Sequence, residues 1–266
     1  MTNDLGHTVL VGAGNMGGAM LARWPAPSDA HAITVIDPGL DASPREGVAL
    51  AASAQGIGVA DTLVVAVKPQ MMGAVLPGLA PLVGPGTVVV SVAAGTTVAT
   101  FRAALGTGAI VRTIPNTPAM VGAGAIAAWA APGVGEAQRA RVDALLAANG
   151  LVAWLGEEAD IDRATAVSGS GPAYVFHMVE ALAEAARDLG LDADAADALA
   201  RQTIVGAGAL LAASEEDAGT LRTRVTSPGG TTAAALGVLM ADDGLRPLVK
   251  RAVEAAHARA VELGSE

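Results

Sequence analysis

Apolar positions follow two rhythms along this chain. Short unbroken runs at Val9–Val11, Ile33–Ile36, Leu63–Val67, Thr87–Val92, Ile110–Ile114, Ala123–Ala130 and Leu151–Leu155 read as buried strands. Helical spacing lies between several of them. It begins after Gly17, passes through Met20 and Leu21, and returns from Lys68-Pro69-Gln70 to Leu82 and over Glu136–Ala148. Ser43 is placed to cap a further helix, with Pro44 at its first position, running to about Ala54. Apolar strands alternating with helices predict a parallel sheet covered on both faces. Ligands bind such sheets at the carboxyl ends of the strands. That edge collects Gly12–Gly17, Asp37, Val67-Lys68-Pro69, Ala93-Ala94-Gly95 and Pro115-Asn116-Thr117.

From Asp160 the strand rhythm stops. Helices are expected over Asp160–Val167, Pro172–Leu189, Asp192–Ser214, Glu216–Arg224, Thr231–Met240 and Pro247–Leu263. The chain therefore divides into an α/β domain, residues 1–158, and an all-helical domain, residues 159–266. Around Ile204–Leu211 even the mid-helix residues are small or apolar. A helix apolar on all sides must be buried. About a hundred helical residues cannot bury so much surface alone, so an extensive interface between subunits is expected.

Two stretches offer anion sites. In the first, the strand at Val9–Val11 runs into Gly12-Ala13-Gly14-Asn15-Met16-Gly17, and a helix follows. Glycines in this spacing give a tight turn, a close backbone approach to a pyrophosphate and close helix–strand packing. The free N–H groups of the helix start then face the anion. The second strand ends at Asp37, where the ribose-binding carboxylate of a dinucleotide site belongs. In the second stretch, Ser227-Pro228-Gly229-Gly230-Thr231-Thr232 opens a helix whose N–H groups suit a small carboxylate, with hydroxyls beside it; a plain capped helix reads equally well there. Ser168-Gly169-Ser170-Gly171-Pro172 lacks the spacing of a nucleophile elbow and reads as a turn at a helix or subunit junction. Lys68 and Arg112 sit at strand ends, as cofactor contacts or as solvated charges.

Composition narrows the alternatives. A net charge of −10 argues against a nucleic-acid partner. With no cysteine, disulfide scaffolds, thiolate zinc sites and a cysteine nucleophile are excluded, and a cytoplasmic setting fits. His7, His31, His177 and His257 form no metal spacing. The charge-free runs Pro69–Phe101 and Thr113–Gly135 are broken by Pro and Gly, so they read as buried strands and turns rather than membrane spans. The start of the chain shows no charged n-region followed by an apolar h-region, so no signal peptide is expected.

Taken together, the stretches resemble the pyrroline-5-carboxylate reductase family. The resemblance is carried by Gly12–Gly17 with Met16, Ala66-Val67-Lys68-Pro69-Gln70, Ser91–Gly95, Arg112–Ala119, Ser168–Tyr174 and Val225–Thr232, in the family's order along nearly the whole chain. It implies a Rossmann domain followed by a helical dimerisation domain, and reduction of 1-pyrroline-5-carboxylate to L-proline by NADPH or NADH. Implied cofactor contacts are Gly12, Ala13, Gly14, Asn15, Met16, Gly17, Asp37, Ala66, Val67, Lys68, Pro69, Val92, Ala93, Ala94 and Asn116. Implied substrate contacts are Ser227, Gly229, Gly230 and Thr231, with Thr232 the catalytic residue beside the ring nitrogen. A homodimer at least is implied, with a larger ring of dimers left open. Two positions depart from many family members. Asp37 stands where a small polar residue is common, which leans the reading to NADH, with Arg45 as the residue to watch for a 2′-phosphate. Arg224 stands where some relatives are neutral. The alternatives are a related imine or hydroxyacid dehydrogenase and a non-catalytic nucleotide-sensing regulator. Against the first, Lys250 is the only lysine from Asp160 onward.

Overall fold

The computed structural model describes residues 5–106 and 108–265. Contacts divide it into two compact units, one comprising the chain up to Ser170 with the segment from Ala256 onward, the other Gly171–Ala255.

The first unit is built on a sheet whose strands, among the described residues, are β1 (Gly6–Val11), β2 (His31–Ile36), β3 (Ala49–Ala51), β4 (Thr62–Val65), β5 (Val88–Ser91), β6 (Ile110–Ile114), β7 (Gly124–Ala130) and β8 (Gly150–Trp154). Their spatial order is β3-β2-β1-β4-β5-β6-β7-β8. All pairs through β6 are parallel, whereas β7 runs antiparallel to β6 and β8 parallel to β7. The uniformly parallel sheet expected from the pattern is thus corrected at its far edge. The connection Pro115–Ala123 holds only a 3-10 turn, Thr117–Val121. A parallel crossover needs about a dozen residues or more, so the chain turns back on itself.

The helices of this unit are α1 (Asn15–Arg23), α2 (Met72–Leu79), α3 (Val98–Leu105), α4 (Glu136–Ala147) and α5 (Asp160–Ala164). The twofold alternation of strand side chains sorts the core into two layers. Leu10, Val64, Val88 and Val90 pack with Met20, Leu21, Trp24, Val142, Leu145 and Leu146 on one face. Val9, Val11, Leu63, Val65 and Val89 pack with Met72, Leu76, Leu79, Phe101 and Leu105 on the other. With few aromatics available, Trp24 and Phe101 are the largest fully buried side chains, one in each layer.

Two local expectations need correcting. The helix expected over Ser43–Ala54 is a bent segment ending in β3, which pairs with β2 from Thr34↔Ala49 to Ile36↔Ala51. The Ser43 hydroxyl does not cap a helix; it donates to the carbonyls of Arg45 and Val48. Gly47 at φ +74° breaks any helical run. The span Lys68–Leu82 is not one helix but a 3-10 turn, α2 and a second 3-10 turn, with Pro77 inside α2. Helix α3 lies where no helix was expected; Thr97 caps it by accepting from the Thr100 N–H.

The buried His31 carries a testable consequence. Burial, then the neighbouring Arg45 charge, hold its imidazole below the ordinary histidine range, against a weaker opposing pull from the Pro25 carbonyl. Its Nε2 lies 3.3 Å from the Thr8 hydroxyl. The unfolded chain therefore takes up this proton at a higher pH than the folded chain. Stability is fully present above about pH 6.5 and falls as the pH drops through the lowered folded value, with a slope of at most about 1.4 kcal/mol per pH unit from this group. Urea denaturation between pH 7.5 and 5 should show that fall in wild type and a shallower one in His31→Gln. Parallel pH profiles would sink the assignment.

Beyond Ala164 the helix widens into a π turn, Thr165–Gly169, before α6 (Gly171–Asp188). The expected helix Asp160–Val167 is therefore shorter than the pattern suggested. The remaining helices are α7 (Ala193–Ala213), α8 (Ala218–Arg224), α9 (Thr231–Leu239) and α10 (Leu245–Ser265). In the second unit α6 and α7 pack together, and Asp192 and Asp217 cap α7 and α8 through the N–H groups of Ala195 and Thr220. Large apolar side chains remain exposed on this unit in the single chain, among them Phe176, Leu199, Val205, Leu210 and Val238. Large apolar side chains left exposed in this number on one unit suit association with another copy of the chain. Among the described residues no helix is long and apolar enough to cross a membrane.

Candidate functional site

Strand β1 delivers its last residue, Val11, into a turn that only glycine permits. Gly12 adopts φ +87°, and a Cβ there would lie 3.0 Å from the Ala66 carbonyl oxygen. A Cβ on Gly17 would lie 2.0 Å from the Gly12 carbonyl oxygen, so α1 can approach the strand only with glycine at that position. Among the described residues, Gly14 has nothing within 4 Å of where its Cβ would be. It also precedes α1 without any side-chain cap. The first N–H groups of α1 are therefore open to an anion.

Asp37, at the end of β2, accepts from the Ala13 N–H at 2.8 Å and from the Gly39 N–H at 2.9 Å. These bonds hold its carboxylate on the wall of a cleft of about 550 Å³. Gly12, Gly14, Asp37, Ala66, Val67 and Lys68 line the cleft. A second wall was not foreseen: Ile36, Ala52, Ala54, Met71, Val75 and Leu79. The spacing Met71, Val75, Leu79 is the signal that could have found it, since residues four apart share a helix face. The cleft thus brings together a glycine turn with open N–H groups, a carboxylate and an apolar slot. These residues fit a dinucleotide, and the cavity size suits such a ligand.

Arg45 is turned away from this cleft's chemistry. Its Nη1 donates to the carbonyls of Leu21 at 2.9 Å and Trp24 at 2.8 Å, closing the last turn of α1. Of the other expected cofactor residues, Asn15, Met16 and Gly17 form the start of α1. Pro69, Val92, Ala93, Ala94 and Asn116 are not in the cleft wall. Val92, Ala93 and Ala94 follow the carboxyl end of β5 at the ligand edge of the sheet. The Asn116 side chain is occupied at both ends, accepting from the Ala125 N–H at 2.9 Å and donating to the Ser168 carbonyl at 3.0 Å. Arg112 is buried and paired with Glu158 at 3.0 Å and Asp162 at 3.6 Å.

In the second unit, Gly229 adopts φ +70° and the Gly230 N–H donates to the Ser227 carbonyl at 3.0 Å, folding Ser227–Gly230 into a tight turn. Helix α9 starts at Thr231 with Gly230 as its uncapped N-cap. Ser227 and Thr231 are exposed and Thr232 is half-buried. The turn offers free N–H groups with hydroxyls beside them, the chemistry of a carboxylate site. Arg224 is engaged with Glu216.

The family model described as pyrroline-5-carboxylate reductase dimerisation matches residues 158–263, and that described as NADP oxidoreductase, coenzyme F420-dependent, matches residues 8–95. A pyrroline-5-carboxylate reductase of Pseudomonas aeruginosa is 40% identical over 263 residues, covering 96% of each chain. Among solved structures, a pyrroline-5-carboxylate reductase of Coxiella burnetii superposes with a TM-score of 0.90 at 36% identity, covering 97% of this chain and 98% of the other. The Plasmodium falciparum pyrroline carboxylate reductase, solved with NADP bound, gives 0.80 at 27% identity, covering 98% and 99%.

Proposed function

The chain belongs to the pyrroline-5-carboxylate reductase family, and from that premise we infer that it reduces 1-pyrroline-5-carboxylate to L-proline with NADPH or NADH. The observation that carries the reading is the cleft at the ends of β1 and β2, joined to full-length likeness to reductases of that name. When bound, the reduced nicotinamide supplies a hydride to the ring carbon of the C=N bond. The chain's own residues supply grip and alignment. Gly12–Gly17 holds the diphosphate at the start of α1, Asp37 takes the ribose hydroxyls, and Ala66, Val67 and Lys68 complete that wall. Pro69, Val92, Ala93, Ala94 and Asn116 belong to the cofactor side of the proposal.

The Gly229 and Thr231 amides hold the substrate carboxylate, with Ser227 beside them and Gly230 shaping the turn through its own N–H bond to the Ser227 carbonyl. Thr232 orients the ring nitrogen. A cyclic imine is basic enough to arrive protonated, so the Ser227–Thr232 stretch needs no titrating acid. Dinucleotide binding falls to residues 1–158, and substrate binding with dimerisation to residues 159–266. The chain works as a homo-oligomer, and the exposed apolar faces of α6, α7 and α9 supply the contact. A ring of dimers is the larger assembly we propose, checked by light scattering.

The direct test follows loss of reduced-nicotinamide absorbance on adding pyrroline-5-carboxylate, with proline identified as product. Oxidation driven by a hydroxyacid's keto partner but not by this imine would overturn the reading. Thr232→Ala should lower kcat about tenfold, some 1.4 kcal/mol of transition-state alignment, with little change in cofactor affinity. Wild-type turnover in that variant would remove Thr232 from the mechanism.

A further inference from the structure

We propose that Glu158 is a positioning residue for the nicotinamide half of the cofactor site, acting through the backbone N–H of Val98. The proposal rests on the placing of Val92, Ala93 and Ala94 beside the cofactor. Those residues begin the loop that links β5 to α3, and the loop is fastened at both ends. At its start the Val92 N–H donates to the Val65 carbonyl at 3.2 Å, and the Thr113 hydroxyl donates to the Ser91 carbonyl at 2.9 Å. At its end the Val98 N–H, the first of α3, donates to Glu158 Oε1 at 2.9 Å. The first N–H of a helix has no partner within the helix, and a carboxylate there also meets the positive end of the helix dipole. Thr97 satisfies the N–H of Thr100, so Val98 depends on Glu158.

Glu158 is itself held. The same Oε1 receives Arg112 Nη1 at 3.0 Å, and Arg112 is buried in the middle of β6. The guanidinium leans on Asp162 of α5 as well. One oxygen thus joins three elements: strand β6, the first turn of α3, and the segment that leads into α5. A buried arginine cannot give up its charge and keeps its carboxylate partner in place. Behind the loop, the Leu263 carbonyl in the last turn of α10 would stand 2.9 Å from a Cβ on Gly95, so the loop cannot retreat in that direction. The far end of the cofactor is held independently by Gly12–Gly17 and Asp37, which predicts a split effect. Losing the Glu158 bond loosens the nicotinamide end and leaves the adenosine diphosphate end untouched.

The test uses the full-length protein, with ADP-ribose as a probe that lacks nicotinamide. Val98→Pro removes the donated N–H at the first helical position, where proline is well accommodated, and leaves Glu158 and Arg112 in place. Glu158→Ala removes the acceptor, and Glu158→Gln retains an oxygen that accepts from Val98. The affinity advantage of NADH over ADP-ribose should shrink about fivefold, and kcat should fall about tenfold, in both Val98→Pro and Glu158→Ala. The affinity for ADP-ribose itself should stay within about twofold of wild type, Glu158→Gln should recover most of the loss, and the double variant should be no worse than either single one. Val98→Pro with the wild-type NADH advantage would overturn the proposal. So would Glu158→Gln as impaired as Glu158→Ala, or ADP-ribose affinity lost in step with NADH. If the wild-type protein failed to reduce pyrroline-5-carboxylate, the binding comparison would still decide the role of Glu158. If Glu158→Ala did not fold, Val98→Pro alone would decide it.

Discussion

Gly17→Ala is expected to lose about 100-fold in affinity for NADH, an effect of roughly 2.7 kcal/mol, and to lower Tm as well. The added methyl would meet the Gly12 carbonyl oxygen at 2.0 Å, and that oxygen belongs to the turn itself. Backbone cannot rotate aside as a flexible side chain does, so α1 must move away from β1. Overpacking of this kind costs about 1–3 kcal/mol even without a ligand. The matched control is Gly14→Ala, whose methyl meets nothing within 4 Å among the described residues. That variant should keep its Tm and still lose affinity, because the methyl stands where the backbone must approach the diphosphate. Titration of NADH fluorescence and thermal unfolding of the two variants separate the cases. Wild-type affinity in Gly17→Ala would show that the glycine turn does not hold the cofactor.

Asp37→Ser should shift the ratio of kcat/KM for NADPH over NADH upward by about 30-fold, a change of some 2 kcal/mol. Asp37 is pinned by the Ala13 and Gly39 N–H groups on the cleft wall, so the carboxylate cannot swing away from a 2′-phosphate. Two like charges about 4 Å apart repel by about 1 kcal/mol in water and about 4 kcal/mol at an effective dielectric of 20, and a half-buried group falls between these limits. Arg45 offers no relief, since it is spent on the carbonyls of Leu21 and Trp24. On this ground we propose that Asp37 weighs against NADPH. Measuring both cofactors with wild type and variant checks this, and an unchanged ratio would show that Asp37 does not select between them.

The parts of this protein that were legible along the chain are those set by neighbours in sequence. Val9–Val11, the glycine spacing at Gly12–Gly17 and Asp37 were placed correctly because strand, turn and helix start are each encoded within a few residues. Local rules misread Ser43–Ala54. A capping serine followed by proline suggests a helix, but the Ser43 hydroxyl found the Arg45 and Val48 carbonyls and β2 offered an open edge to Ala49–Ala51. Helix α3 went unseen between two strong apolar strands, although its Thr97 cap is a local signal.

By itself, then, the order of residues determined the class of fold, the tight turn at Gly12–Gly17 and the place of Asp37 at the end of β2, since each needs only short-range backbone geometry and a fixed side-chain period. Tertiary structure alone decided the direction of β7, the withdrawal of Arg45 and the sharing of one Glu158 oxygen between Arg112 and Val98. These depend on partners tens of residues away, whose approach is set by how helices and strands pack. No local pattern carries that information.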